Sequence, residues 1–175
     1  TPIKSSAASD VYKRQPQYYE GFDEIRLYFN TEKNYWTYDL FKKLDKIPQD
    51  NPHHTLTIGK HCKKAALLLK DYDMFKVGLL HDIGKAETKT FVNTKGETTE
   101  IAHYYNHEKV SAYMSLFYTD KTDERKQLEI ANLIQWHMLL HRELSEKTIL
   151  KYKNLLGEET WKKLNLLYDA DIQAK

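Results

Sequence analysis

The sequence of 175 residues lacks the features that mark several large classes of protein. Its single cysteine, Cys62, cannot form a disulfide within the chain and fits a reducing compartment. No apolar run approaches the length that spans a membrane, and no leader with a charged and then an apolar region opens the chain. Internal repeats and low-complexity tracts are missing as well. We therefore expect a cytoplasmic protein with no membrane partner.

An excess of one charge sign is also missing. The chain has 27 Lys and Arg against 25 Asp and Glu, a formal charge of +2. Residues 1–15 carry Lys4, Lys13 and Arg14 against Asp10 alone, and the rest of the sequence has 24 basic and 24 acidic residues. Such a balance gives no field of a single sign that would attract nucleic acid. We expect no strong general nucleic-acid binding.

One domain accounts for most of the chain, because this length suffices to bury a core without disulfides. Residues 1–15 show no clear periodicity, and we interpret them as a disordered or artefactual N-terminal segment. Residues 16–47 are predicted to form an N-terminal helical extension, and residues 48–175 the functional domain. A fused domain lost from the chain is an open alternative.

Helical periodicity dominates the sequence, so the predicted fold class is all-α, a compact bundle of six or seven helices. Alternating β-branched and polar residues around the turn at 93–96 predict a small hairpin or ordered loop near residues 88–101. Asn106 is expected to cap the helix that follows it. The predicted helices are 35–44, 56–70, 74–85, 106–118, 123–143, 145–156 and 158–175.

Imidazoles fall where three of these helices should be apolar. His61, His81 and His137 each share a face with aliphatic residues of their own helix, and His141 follows His137 by one turn. A single such histidine is more often a hydrogen-bonded core residue than a metal ligand. Because separate helices each bring an imidazole to the interior of one small domain, we favour a common site.

The last helix separates two candidate carboxylates. Leu164, Leu167 and Tyr168 define an apolar stripe that includes Asp171, whereas Asp169 falls on the side expected to face solvent. A carboxylate on a buried stripe must be paired, hydrogen-bonded or bound to metal. Two imidazoles and two carboxylates form a nitrogen and oxygen donor set that suits divalent transition metals and leaves positions for water and substrate.

The segment Leu-Leu-His-Asp-Ile-Gly-Lys at 79–85 resembles the signature of the HD superfamily of metal-dependent phosphohydrolases. Other segments are similar to the HD domain of bacterial tRNA nucleotidyltransferases: Asn-Pro-His-His at 51–54, Gly-Lys-His at 59–61, the run at 103–112 and the closing aspartate element at 167–175. The resemblance runs from about Pro48 to Lys175. The nucleotidyltransferase domain has no counterpart in this chain, so we do not expect CCA addition.

The resemblance implies a metal-ligand set of His61, His81, Asp82 and Asp171. His54 is the alternative first ligand, because Thr-Leu follows it. The bound ion would be a divalent metal such as Mn, Ni, Fe, Zn or Mg. Neither its identity nor the number of ions follows from the sequence.

Further roles are implied for five side chains of this region. His107 and His137, with His54, match positions that bind a second metal or a substrate phosphate in some members. Asp82 is expected to orient the attacking water, and Lys85 to neutralise phosphate charge. An equally open interpretation makes Lys85 a cation that the dipole favours at the C-terminus of a helix.

The implied function is metal-dependent hydrolysis of nucleotide or RNA-end phosphates, either phosphomonoesters or 2′,3′-cyclic phosphodiesters. One alternative is a non-catalytic module that binds metal or nucleotide for regulation or RNA docking. The other is a structural helical domain whose histidines are core residues. Hydrolysis would distinguish an enzyme from the non-catalytic module. Retention of metal would distinguish either of these from the structural domain, which is expected to bind none.

Overall fold

A computed structural model of the chain describes residues 35–175 and shows a helical bundle with one small hairpin. In this part of the chain seven helices have nine residues or more, which confirms the predicted all-α class. None of the described helices is both long and apolar enough to cross a bilayer. The elements are α1 (Tyr35–Leu44), α2 (Ile58–Leu68), α3 (Tyr72–Leu80), α4 (Lys85–Thr88), β1 (Lys89–Val92), β2 (Thr98–Tyr104), α5 (His107–Tyr118), α6 (Glu124–Trp136), a 3₁₀ turn (His137–Leu139), α7 (Glu146–Leu156) and α8 (Glu158–Gln173).

The predicted segment 1–15 and most of the predicted extension 16–47 lie outside the described residues. The described end of that extension, α1, packs in the same core as the rest of the bundle, and its Phe41 and Leu44 are completely buried. The division of the chain at 47/48 stays a prediction.

Short polar side chains cap four of the eight helices in the described part of the chain. Thr57, Asp71, Asp123 and Ser145 each precede a helix and accept a hydrogen bond from a backbone N–H of its first turn. The prediction that Asn106 caps the following helix needs correction, because its side chain makes no capping hydrogen bond to α5. Its backbone is left-handed with φ of 59°, and its side chain accepts a hydrogen bond from Lys109 Nζ at 2.8 Å.

The hairpin predicted near 88–101 is present and extends slightly further, to Tyr104. Its strands are antiparallel, with Lys89 opposite Tyr104 and Thr90 opposite His103. The turn places Gly96 at φ of +84°, a conformation that glycine adopts without steric cost. This hairpin leads the chain from the end of α4 to the start of α5.

Two predicted helices end earlier than periodicity alone indicates. The helix expected to reach Lys85 ends at Leu80, and the one expected to reach Glu143 ends at Trp136. In both cases the next residue is a histidine, and its Nδ1 lies 2.7 Å from a carbonyl three residues earlier. A side chain that occupies a carbonyl of the last turn competes with the helical hydrogen bond of a following residue. His81 and His137 therefore lie at helix ends, where their rings can turn inward.

Aliphatic residues of α1, α2, α3, α6 and α8 form one continuous core, which Ala112 of α5 joins. On α2, the helical spacing places His61 on one face with Ile58, Ala65 and Leu68. Ile58 and Ala65 are buried as this predicts, whereas Leu68 is exposed. α7 has no buried residue and lies at the periphery. The polar cluster described next lies within this core, between α2, α3, α5, the 3₁₀ turn and α8.

Candidate metal centre

Five separate elements contribute polar side chains to one buried cluster. α2 supplies His61, and the turn after α3 supplies His81 and Asp82. The first residue of α5 is His107, the 3₁₀ turn begins with His137, and α8 carries Asp171. Each of these residues is at most 6% exposed. The chain thus holds four imidazoles and two carboxylates away from water, which is costly unless they are compensated.

The first half of the cluster surrounds the Nε2 atom of His61. Oδ1 of Asp171 lies 3.0 Å from it, and Oδ2 of Asp82 lies 3.2 Å from it. Nε2 of His81 is also 3.2 Å away. His81 lies within 3.7 Å of the same two carboxylates. Four donor atoms from three elements therefore converge on one small volume.

The second half uses the other oxygen of the same aspartate. Oδ1 of Asp82 lies 3.2 Å from Nε2 of His107 and 3.5 Å from Nε2 of His137. The rings of His107 and His137 meet with their centroids 5.3 Å apart. Asp82 thus has one carboxylate oxygen in each half, so the two halves share it as a bridge.

Backbone carbonyls fix the orientation of the four rings. Nδ1 of His81, His107 and His137 lies 2.7 to 2.8 Å from the carbonyl oxygen of the residue three positions earlier. Nδ1 of His61 lies 3.4 Å from the carbonyl of Ala174. A carbonyl can only accept, so each Nδ1 carries a hydrogen and each Nε2 faces the cluster. When the ring is neutral, that Nε2 bears the lone pair that can bind a metal. A backbone partner on the second ring nitrogen is the usual arrangement behind a metal-binding histidine.

The donor atoms fit a divalent metal. Ligand atoms bound to one ion at about 2.1 Å lie about 3.0 Å apart in an octahedral arrangement and about 3.4 Å apart in a tetrahedral one. The spacings within each half of the cluster fall close to this range. Nε2 of His107 and His137 and one oxygen of each aspartate are buried without a hydrogen-bond partner among the described residues. Buried polar atoms are rarely left so, and a bound cation would satisfy them.

A family model described as HD domain matches residues 53–172. The chain belongs to the HD-domain family. No curated protein and no solved structure matches the chain. HD domains are typically metal-dependent hydrolases, and the family binds divalent metals. The match does not extend to the tRNA nucleotidyltransferase type in particular.

The HD dipeptide, His81-Asp82, is held in place by the glycine of its motif. A Cβ atom at Gly84 would lie 2.6 Å from the Ser111 backbone nitrogen and 2.7 Å from the His107 carbonyl oxygen. The Gly84 N–H donates a hydrogen bond to Ser111 Oγ at 2.8 Å. The turn that carries the dipeptide therefore packs directly against α5. This close approach sets the distance between Asp82 and His107.

The charges of the cluster shift its pKa values. Burial acts to raise the pKa of Asp82, but the Lys85 ammonium and His81 outweigh it and hold the pKa well below its usual range. Burial likewise opposes ionisation of Asp171, and contacts with His141 and His61 lower its pKa instead. Burial acts to lower the pKa of His61, yet the contacts with Asp171 and Asp82 raise it to about 9. The metal-free HD domain therefore holds both carboxylates charged and a proton on His61.

The surroundings of His107, His137 and His54 shift their pKa values in different directions. Contact with Asp82 overcomes the effect of burial and raises the pKa of His107. Burial lowers the pKa of His137. Burial, together with the nearby Lys85 and His61, lowers the pKa of His54 to about 3. His54 is therefore a neutral imidazole beside the cluster.

The structure separates the two candidates for the first ligand. His61 has the contacts described above, whereas the ring of His54 lies behind it, with centroids 5.0 Å apart. The groups of closely spaced donor atoms in the described chain are His61, His81 and Asp171 on one side and Asp82, His107 and His137 on the other. His54 belongs to neither, although it contacts Lys85 at 3.5 Å. The assignment of ligands stays a proposal, and this geometry supports His61.

Lys85 is buried and is the first residue of α4, whereas α3 already ends at Leu80, so Lys85 is not the C-terminal cation of that helix. Its Nζ lies 2.6 Å from Oδ2 of Asp82. It also donates to Oε1 of Gln49 at 2.9 Å. Nothing in the sequence marks Gln49 as a site residue, because a glutamine in a proline-containing loop belongs to no periodic pattern.

His141 was noted in the sequence but left out of the expected site. Its Nε2 lies 2.8 Å from Oδ2 of Asp171, and its ring packs on Tyr168 with centroids 4.9 Å apart. The four-residue spacing from His137 was the available signal. Since α6 ends at Trp136, however, the two histidines do not share a helix face. His137 contacts Asp82 in the second half of the cluster, and His141 contacts Asp171 in the first half.

Proposed function

We propose that this HD domain is a divalent-metal-dependent phosphohydrolase that acts on nucleotide or RNA-end phosphates. One observation carries the proposal: the two carboxylate oxygens of Asp82 face two different histidine sets. A bridging carboxylate between two nitrogen-rich donor sets is the arrangement expected of a two-metal hydrolytic site. Family membership supports the reaction class, since HD domains are typically metal-dependent hydrolases.

The proposed ligands divide into two groups. His61, His81, Asp82 and Asp171 would hold the first ion, and Asp82, His107 and His137 the second. When bound, a divalent metal polarises a phosphoryl oxygen and lowers the pKa of water, so that attack on phosphorus occurs near neutral pH.

The chain itself would contribute position and charge. The backbone carbonyls behind the four rings keep each Nε2 lone pair directed inward. Asp82 and Asp171 stay ionised at neutral pH and offset the charge of the cations. Asp82 would also orient the attacking water. In the reaction the water oxygen bonds to phosphorus, the ester P–O bond breaks, and the leaving oxygen takes up a proton.

The substrate class rests on resemblance rather than on a pocket. The similarity of segments 51–61 and 103–112 to the HD domain of bacterial tRNA nucleotidyltransferases favours 2′,3′-cyclic phosphodiesters and phosphomonoesters of nucleotides or RNA ends. The predicted contact of Lys85 with substrate phosphate and the predicted role of His54 in phosphate or metal binding stay predictions. The ion itself, whether Mn, Ni, Fe, Zn or Mg, is open, because donor type alone does not select it.

The test is a hydrolysis assay of metal-stripped protein supplied with Mn²⁺, Ni²⁺, Mg²⁺ or Zn²⁺ in turn. Substrates are a 2′,3′-cyclic nucleotide and a panel of nucleoside monophosphates. Asp171→Asn should abolish turnover, whereas Asp169→Asn, on the exposed side of the same helix, should leave it unchanged. Protein that binds metal but hydrolyses none of these substrates would contradict the proposal and favour the non-catalytic binding module.

A further inference from the structure

The ammonium group of Lys85 is enclosed by three acceptors. Its Nζ lies 2.6 Å from Oδ2 of Asp82, 2.9 Å from Oε1 of Gln49 and 3.5 Å from Nε2 of His54. The residue is only 5% exposed. An ammonium has three N–H donors, and here each has a partner. No donor is left over for a substrate phosphate.

Gln49 is itself held on both sides. Its Nε2 donates to the carbonyl oxygen of Leu56 at 3.2 Å, and its own backbone carbonyl accepts a hydrogen bond from the Tyr104 hydroxyl. The residue is 2% exposed, although it lies in a loop. Because the amide nitrogen is committed to Leu56, the amide oxygen must point at Lys85. The loop 48–56 thus determines where the ammonium lies.

Burying a lysine charge is costly unless its partners are fixed. Asp82 is the charged partner, and it is the carboxylate shared by both halves of the metal centre. Gln49 and His54 supply neutral acceptors on the remaining two N–H groups, and the Tyr104 ring lies 5.4 Å from Nζ. The arrangement directs one N–H of Lys85 at a single oxygen of Asp82 and so restrains rotation of that carboxylate.

We propose that Gln49 is a positioning residue of the metal centre, which acts through Lys85 to fix the orientation of the Asp82 carboxylate. Lys85 accordingly holds a ligand of the metal rather than the phosphate of the substrate. Gln49 lies outside residues 53–172, the part of the chain that matches the family. The inference rests on the proposed metal centre, and its test uses metal binding instead of turnover.

The test compares Mn²⁺ affinity, measured by titration calorimetry, in wild-type protein and two variants at one position. Gln49→Met keeps the length of the side chain and removes the oxygen that faces Lys85. It should weaken Mn²⁺ binding about tenfold or more, the usual effect of losing a partner behind a metal ligand. Gln49→Glu retains an oxygen for Lys85 but loses the donor to the Leu56 carbonyl, so its Mn²⁺ affinity should exceed that of Gln49→Met and fall short of the wild type. Neither variant changes the charge of Lys85 or Asp82.

A control in the same loop separates positioning from loop stability. The Asn51 side chain donates to the carbonyl of Ala102 at 3.3 Å and anchors the loop without contacting Lys85. Asn51→Ala should bind Mn²⁺ as the wild type does. Binding of inorganic phosphate at saturating Mn²⁺, measured by the same calorimetry, should be the same in Gln49→Met and the wild type, since Lys85 does not contact the phosphate.

Three results would overturn the inference. The first is wild-type Mn²⁺ affinity in Gln49→Met, and the second is an equal loss in Asn51→Ala. The third is weaker phosphate binding in Gln49→Met with unchanged Mn²⁺ affinity, which would assign Lys85 to the substrate. Wild-type protein that binds Mn²⁺ but hydrolyses nothing contradicts the proposed function alone. Wild-type protein that does not bind Mn²⁺ contradicts both.

Discussion

Metal affinity should depend steeply on pH, because the first ion must displace a proton from His61. In the metal-free protein, contacts with Asp171 and Asp82 raise the pKa of His61 to about 9, against an ordinary value of 6.5. The ring is therefore protonated at neutral pH. Its Nε2, which lies 3.0 to 3.2 Å from both carboxylates, can bind a metal only after that proton leaves. Lowering the pH should thus weaken binding.

The size of the effect follows from the pKa of His61. Below a pKa of about 9 the neutral fraction of the ring rises tenfold for each pH unit. Between about pH 6 and pH 8 the apparent affinity should therefore rise roughly 100-fold, or about 2.7 kcal/mol, from this one proton. The pKa of His107 is also raised, so the second half of the centre adds to the effect in the same direction.

Titration calorimetry with Mn²⁺ at several pH values measures the slope. Repeating the titration near pH 7 in two buffers of different ionisation enthalpy counts the protons released, and about one or more per ion is expected. His61→Gln should bind more weakly and lose most of the pH dependence. An affinity that stays constant between pH 6 and pH 8, with no proton released, would refute the assignment of His61 as a ligand that is protonated before metal binds.

Three further predictions concern stability and neighbouring residues. The pKa of His61 is higher in the folded metal-free protein than in the unfolded chain, so its protonation stabilises the fold fully below about pH 6.5. The free energy of unfolding should fall by about 3 kcal/mol as the pH rises through about 9. Urea unfolding at several pH values measures this, and a midpoint that does not change with pH would contradict it. Gly84→Ala should cost about 1–3 kcal/mol, because its Cβ would meet the backbone of α5 at 2.6 Å; a wild-type melting curve would show that α5 can yield. His141→Ala should weaken Mn²⁺ binding about tenfold by releasing Oδ2 of Asp171, and exposed His53→Ala is the matched control; equal affinities would make His141 a packing residue.

The hydrophobic pattern of the sequence was sufficient to predict the fold class and the positions of most of the helices. Helical periodicity placed Asp171 on the buried side of the last helix and Asp169 in solvent, as the structure shows. The same argument brought His61, His81 and His137 to the interior, where all three are buried. Periodicity succeeds here because an apolar stripe 3.6 residues in period must face the core, and any polar residue within it goes there too.

Predictions failed where a tertiary contact replaced the local rule. The helix expected through Lys85 ends at Leu80, because His81 bonds to a carbonyl of the last turn and Gly84 packs on α5. Asn106 was expected to act through its side chain and instead provides a left-handed backbone. Lys85 was placed at the end of a helix, whereas the structure buries it against Asp82 and Gln49. In each case the outcome depends on a contact with a residue outside the predicted helix or on a backbone conformation, and helical periodicity specifies neither.

The sequence by itself determined that several imidazoles and carboxylates of this HD domain would be buried, since hydrophobic periodicity acts within one helix at a time. Only the tertiary structure decided how they are shared: which oxygen of Asp82 meets which histidines, that His141 reaches Asp171, and that Gln49 holds Lys85. These contacts join residues from different elements over distances of about 3 Å. They depend on how helices pack and where they end, and no pattern within a single helix specifies that.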